Sequence, residues 1–206
     1  MKEERIIFPA GSLHLEGYYA PDPSGRGAVV THPHPLMGGS LENNVVETLV
    51  STFFRQGYAT MRFNFRGVGR SEGIYDEGIG EQQDVQAAVR FLQQKGIRVI
   101  LLAGYSFGAW VNAQVLRREH SLGGVILVSP PIDLMDFDFS GLAGRIRLII
   151  AGDRDPYCNA ERLLEAAGRI RAPVRLLPGV DHFYSGREQE LSAALMDLWS
   201  EPSGSV

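Results

Sequence analysis

The sequence predicts an α/β fold: a mostly parallel sheet of about eight strands with helices on both of its faces. Three observations predict it. Short apolar runs alternate with longer stretches of helical apolar periodicity along the chain. Central runs such as 99–103 are continuously apolar, as a strand covered on both faces must be. The chain opens on two runs joined by a tight turn, which gives the sheet an antiparallel start.

Residues 5–8 and 13–19 read as that opening pair, joined at Ala10-Gly11-Ser12. Residues 28–31 form a short buried strand. From 42 to 56 the apolar positions Val45, Val46, Leu49, Val50, Phe53 and Phe54 fall in i, i+4, i+8 rows, a helix with a wide apolar face ended by Gly57. A strand at 59–65 and the loop Arg66-Gly67-Val68-Gly69-Arg70-Ser71 follow. Val85, Ala88, Val89 and Leu92 mark a helix over 81–95. Then come a strand at 99–103, a helix at 107–118, strands at 125–128 and 147–151, a helix at 160–170 and a strand at 174–177. The last helix spans 188–199, and the polar tail 201–206 is expected to fray. No linker, repeat or low-complexity tract divides the chain, so residues 1–206 are expected to form one domain.

The 206 residues carry a formal net charge of −4, with 44% hydrophobic and 21% charged residues, the balance of an ordinary globular protein. No basic stripe is present, so a nucleic-acid partner is not expected. No apolar run is long enough to span a bilayer, and the charged start Met1-Lys2-Glu3-Glu4-Arg5 reads as neither signal nor transit peptide. The single cysteine, Cys158, excludes an internal disulfide and suits a reducing compartment, so a cytoplasmic location is expected. No close cluster of cysteines and histidines suggests a metal, and no cofactor is expected.

Chemistry enters at Gly104-Tyr105-Ser106-Phe107-Gly108. The spacing Gly-x-Ser-x-Gly lets a serine stand exposed on a sharp strand-to-helix turn. Such a turn crowds the backbone, so the residues two before and two after the serine must be small. The N–H of Phe107 then lies at a helix N-terminus, where developing negative charge is stabilised. With 24 glycines in the chain the bare pentapeptide is weak evidence. Its context, a strand running into it and a helix leaving it, is what the chemistry requires. A glycine-rich nucleotide-binding turn is the bland alternative, but a dinucleotide fingerprint has other spacing.

A serine nucleophile needs a base and an orienting acid, which in this topology follow in the order Ser, Asp, His after later strands. Gly152-Asp153-Arg154-Asp155-Pro156 follows one strand and supplies two competing acids. Asp181-His182-Phe183 follows the next, making His182 the expected base. His14 and His120 are expected in solvent, and Cys158 as a packed small hydrophobe. The loop His32-Pro33-His34-Pro35-Leu36-Met37-Gly38-Gly39 follows the strand at 28–31 and should carry a second N–H for the oxyanion. Proline has none, so His34 and Leu36 remain, and Leu36 is the favoured donor. The two imidazoles are expected to shape the loop; no third ligand accompanies them for a metal.

These pieces, with Phe63-Asn64-Phe65-Arg66-Gly67-Val68-Gly69-Arg70-Ser71, give the chain a resemblance to compact α/β-hydrolases of the dienelactone-hydrolase-like and serine-aminopeptidase-like group. The resemblance covers nearly the whole chain. It implies the α/β-hydrolase fold with the second strand antiparallel, Ser106 as nucleophile, His182 as base and Asp155 as acid. The position of Asp155 before Pro156 agrees, since it favours an extended backbone that holds the carboxylate out; Asp153 would instead cap its own turn. Dienelactone hydrolases use cysteine where Ser106 stands. Many relatives insert a helical cap between the sixth and seventh strands, for which residues 130–144 leave no room, so an open site without a cap domain is expected. The expected activity is hydrolysis of carboxylic esters of small or medium acyl groups through an acyl-serine. Amide or peptide hydrolysis by the same triad, or a non-catalytic binding module on this fold, are the alternatives.

Overall fold

Alternate side chains of a parallel strand face opposite sides of the sheet, so a strand apolar at every position needs a cover on both faces. The computed structural model, which describes residues 1–199, shows this arrangement. Its elements in chain order are β1 (Glu4–Ala10), β2 (Leu13–Ala20), β3 (Arg26–Thr31), α1 (Asn44–Arg55), β4 (Ala59–Phe63), α2 (Ile79–Gln94), β5 (Val99–Tyr105), α3 (Phe107–Arg118), β6 (Gly124–Val128), β7 (Ile146–Gly152), α4 (Ala160–Arg169), β8 (Val174–Leu177) and α5 (Glu188–Leu195). The eight strands form one sheet in the order β1-β2-β4-β3-β5-β6-β7-β8. Only β2 runs against its neighbours; β3 through β8 pair in parallel. This is the α/β-hydrolase arrangement.

The strand residues divide as the pleat dictates. Val29, Leu102, Val125, Leu127 and Ile149 face one core with α2, α3 and α4. Ala28, Val30, Leu101, Ala103, Ile126 and Ile150 face the other with α1 and α5. Caps define several helix starts: Asn43 accepts from Val45 N–H at 2.9 Å and Asn159 from Arg162 N–H at 3.0 Å.

The structure departs from the sequence pattern at three places. The strand expected over 59–65 ends at Phe63, because the N–H of Phe65 turns to the ring of His32 at 3.0 Å. The last helix gives way after Leu195 to a 3-10 turn, Met196–Trp199. Another 3-10 turn, Pro35–Met37, forms inside the loop after β3. The tail 201–206, expected to fray, lies outside the described residues. Among the described residues no helix is long and apolar enough to cross a membrane. Residues 129–145, between β6 and β7, contain no helix or strand, so no helical cap is built there.

Candidate active site

β5 carries the chain into Ser106, and α3 begins with the next residue. Ser106 has φ 54° and ψ −118°, a conformation that costs a non-glycine residue about 1–3 kcal/mol. The surroundings hold it there: its N–H donates to Val128 O on β6 at 2.9 Å. The flanking glycines are required by close approach. A Cβ at Gly104 would lie 2.4 Å from Gly108 O, and one at Gly108 would lie 2.6 Å from Thr31 Oγ1 and 2.7 Å from His32 O. Strand, elbow and the loop after β3 are thus packed backbone to backbone.

Two other loops converge on the serine. Gly152 ends β7 where a Cβ would meet Val180 O at 2.0 Å, so the loops after β7 and β8 touch only because no side chain stands there. The contact brings His182 beside Asp155. His182 Nδ1 lies 2.8 and 3.0 Å from the two Asp155 oxygens, and Nε2 lies 3.0 Å from Ser106 Oγ. All three side chains are buried. Asp155 Oδ1 also accepts the N–H of Tyr157 at 2.9 Å, and the hydroxyl of Tyr105 donates to His182 O at 2.7 Å. These bonds set the carboxylate and the histidine backbone. Asp153 is exposed and points elsewhere, accepting Gly179 N–H at 2.6 Å on the neighbouring loop rather than capping its own turn.

Residues 36–147, more than half of the chain, match the family described as serine aminopeptidase, S33. The chain belongs to this family of α/β serine hydrolases. An uncharacterized protein of Rickettsia prowazekii is 34% identical over 94% of this chain and 87% of its own length. An α/β serine hydrolase homologue from Coxiella burnetii is 33% identical and superposes with a TM-score of 0.84 over 97% of this chain and 99% of its own. A Xanthomonas campestris protein described as an α/β serine hydrolase without lid is 27% identical, with a TM-score of 0.86 over 100% of this chain and 98% of its own. The open stretch 129–145 matches that description.

The loop after β3 corrects one sequence expectation. Leu36 N–H, favoured as the second oxyanion donor, donates to Nδ1 of His34 at 3.2 Å, and the Leu36 side chain is 72% exposed. The sequence could not show this, because the competition comes from the ring of a residue two positions away. Met37 and Gly39 donate to His34 O at 3.0 and 3.1 Å. His34 N–H has no acceptor among the described residues, and His34 lines the cavity that contains Ser106. Its N–H is left without an internal partner where that of Leu36 is engaged.

The two imidazoles hold the loop. His34 Nδ1 accepts, so its ring proton is on Nε2, 3.2 Å from the Tyr75 hydroxyl. Its ring packs on Phe107 and Tyr75 at 4.9 and 5.0 Å. His32 is fully buried; Nδ1–H donates to Pro33 O at 2.7 Å and Nε2 accepts Phe65 N–H. That second bond ties the loop to the segment Phe63–Ser71, whose purpose the sequence did not reveal. There Arg66 grips the buried Asp84 at 2.8 Å, and Asn64 bridges Leu41 N–H and Glu16. The remaining histidines do not approach the site: His14 contacts Glu72 at the surface and His120 is exposed. Cys158 is buried, and burial pushes its thiol far up.

Burial pushes His32 down to about 4 from the 6.5 of a solvated histidine. As pH falls below 6.5 the unfolded chain takes up a proton at this position that the folded chain refuses until about pH 4. Stability is therefore lost across that window, by roughly 3 kcal/mol for this group. We expect urea unfolding from pH 7 to 4 to show this slope, and His32→Gln to be less stable at pH 7 but to lack it. Parallel pH profiles for the two proteins would contradict the assignment.

Proposed function

We propose that this hydrolase cleaves carboxylic esters of small or medium acyl groups, with Ser106 as nucleophile, His182 as general base and Asp155 as the orienting acid. The observation that carries the reading is the unbroken chain of contacts from Ser106 Oγ through both nitrogens of His182 to Asp155, opening into a cavity of about 170 Å³. Ser106 Oγ attacks the ester carbonyl carbon while His182 Nε2 takes the hydroxyl proton. The carbonyl oxygen becomes an oxyanion held by the N–H groups of Phe107 and His34. Collapse breaks the bond to the leaving oxygen, which departs with the proton from Nε2. Water, deprotonated by the same nitrogen, then attacks the acyl-serine and releases the carboxylic acid.

The family description raises an aminopeptidase reading, and the cavity argues for esters instead. Holding a substrate α-ammonium calls for a carboxylate beside the serine. Among the described residues, none lining the cavity is aspartate or glutamate; Asn43, Tyr157, Leu134 and Phe183 stand there. The unpaired Cys158 needs no oxidising compartment, which supports a cytoplasmic setting.

The test is a fluorophosphonate probe together with p-nitrophenyl esters of graded acyl length and aminoacyl amides. We expect the probe to label Ser106, ester turnover to exceed amide turnover, and kcat/KM to peak at short or medium chains. An uncapped site cannot bury further methylenes, each of which contributes about 0.8 kcal/mol only when enclosed. Amides turned over faster than esters, or a steady rise out to long chains, would overturn the reading.

A further inference from the structure

Ser106 lies where two clefts meet. One contains His182 and is bounded by Asn43, Tyr157 and Phe183. The other, of about 330 Å³, lacks His182 and is walled by Phe107, Pro131, Leu134 and Met135. Ser106, His34, Met37 and Leu134 border both. We propose that the clefts divide the substrate: an aliphatic acyl chain occupies the Pro131–Met135 cleft, and the alcohol occupies the cleft of Tyr157, His182 and Phe183. This rests on the ester-hydrolase reading above and adds which residues set each specificity.

The tetrahedral carbon formed on Ser106 Oγ has three other substituents, and two have their directions dictated. The oxyanion points to the N–H groups of Phe107 and His34. The leaving oxygen must receive a proton from His182 Nε2, so it lies on the His182 side and its alcohol continues into that cleft. The acyl carbon takes the remaining direction, away from His182, where the second cleft begins. Its walls suit that role. Pro131, Leu134, Met135 and Phe107 offer no charge, and Met37 and Met135 are thioethers that adapt to chains of different length. Residues 129–145 are held in place from α3: Trp110 Nε1 donates to Asp136 O at 2.9 Å and Arg117 pairs with Asp138 at 2.8 Å. These contacts keep Leu134 and Met135 beside the serine although residues 129–145 contain no helix of their own.

Two substrate series separate the clefts: p-nitrophenyl esters from acetate to octanoate, and butyrate esters of methanol, p-nitrophenol and naphthol. Met135→Trp should lower the octanoate-to-acetate ratio of kcat/KM about tenfold, the discrimination that a methylene or two gives in an apolar pocket. Met135→Ala should raise that ratio. Phe183→Ala should instead change the naphthyl-to-methyl ratio. Hydrolysis of the acyl-enzyme, measured after the burst, supplies a second readout because the alcohol has already left. It should follow acyl length and respond to Met135→Trp, not to Phe183→Ala. The inference is overturned if both Met135 variants keep the wild-type acyl ratio, or if they move the alcohol ratio instead. A wild-type protein that ignores the fluorophosphonate and hydrolyses neither series overturns the ester-hydrolase reading and this inference with it. Labelling and turnover with the wrong partition overturns the inference alone.

Discussion

Ser106→Ala is expected to lower kcat for esters by about 10⁶, the loss measured when the nucleophile is removed from the best-studied serine triad. The fold should survive. Alanine meets the same backbone restriction at φ 54° as serine, and the Ser106 hydroxyl makes one side-chain bond, to His182. What remains should be catalysis by the oxyanion donors and binding alone. Ser106→Gly should be equally inactive but more stable than Ser106→Ala, because glycine is not strained at this conformation. The measurements are kcat normalised by active-site titration, to exclude contaminating esterase, and urea unfolding. Retention of more than a few per cent of activity by Ser106→Ala would remove the serine from its role.

The second large effect separates two acids two residues apart. Asp155→Asn should reduce kcat by about 10⁴, as loss of the orienting charge does in the well-studied serine protease. The reason is the proton on His182. The Asp155 carboxylate only accepts, so the ring proton resides on Nδ1 and Nε2 is free to accept from Ser106 Oγ. An asparagine can present its NH₂ to Nδ1, which moves the ring proton to Nε2 and blocks the base. Asp153→Asn should keep kcat within a few-fold, since its carboxylate is exposed and serves Gly179 N–H. A crippled Asp153→Asn beside an active Asp155→Asn would reverse the assignment.

Much of this molecule was legible from local patterns. The wide apolar face of α1, the continuous apolar run of β5 and the turn at Gly104–Gly108 depend on residues close in sequence. Periodicity and steric crowding report such residues directly. One expected end failed where a distant group intervened. The strand around 59–65 is cut short by the His32 ring, more than thirty residues earlier, which takes the Phe65 N–H. Prolines eliminated two donors from the loop after β3, yet which of the His34 and Leu36 N–H groups stays free turned on the placement of the His34 ring. No pattern of residue types encodes that.

The sequence by itself determined the order of strands and helices, the elbow that carries Ser106, and the placement of Asp155 and His182 after successive strands. These follow from polarity, glycine spacing and chain order. Only the tertiary structure decided which N–H of the loop after β3 is left without an internal acceptor among the described residues, which of two neighbouring acids meets His182, and which side chains wall the two clefts. The acid and the clefts depend on contacts between segments well separated in sequence, and the N–H on where the His34 ring lies. Gly152 lies against Val180, the His32 ring on Phe65, and Leu134 beside Ser106 because the sheet assembles first neighbours that are far apart in sequence. Geometry of a few tenths of an ångström then selects the hydrogen-bond partners.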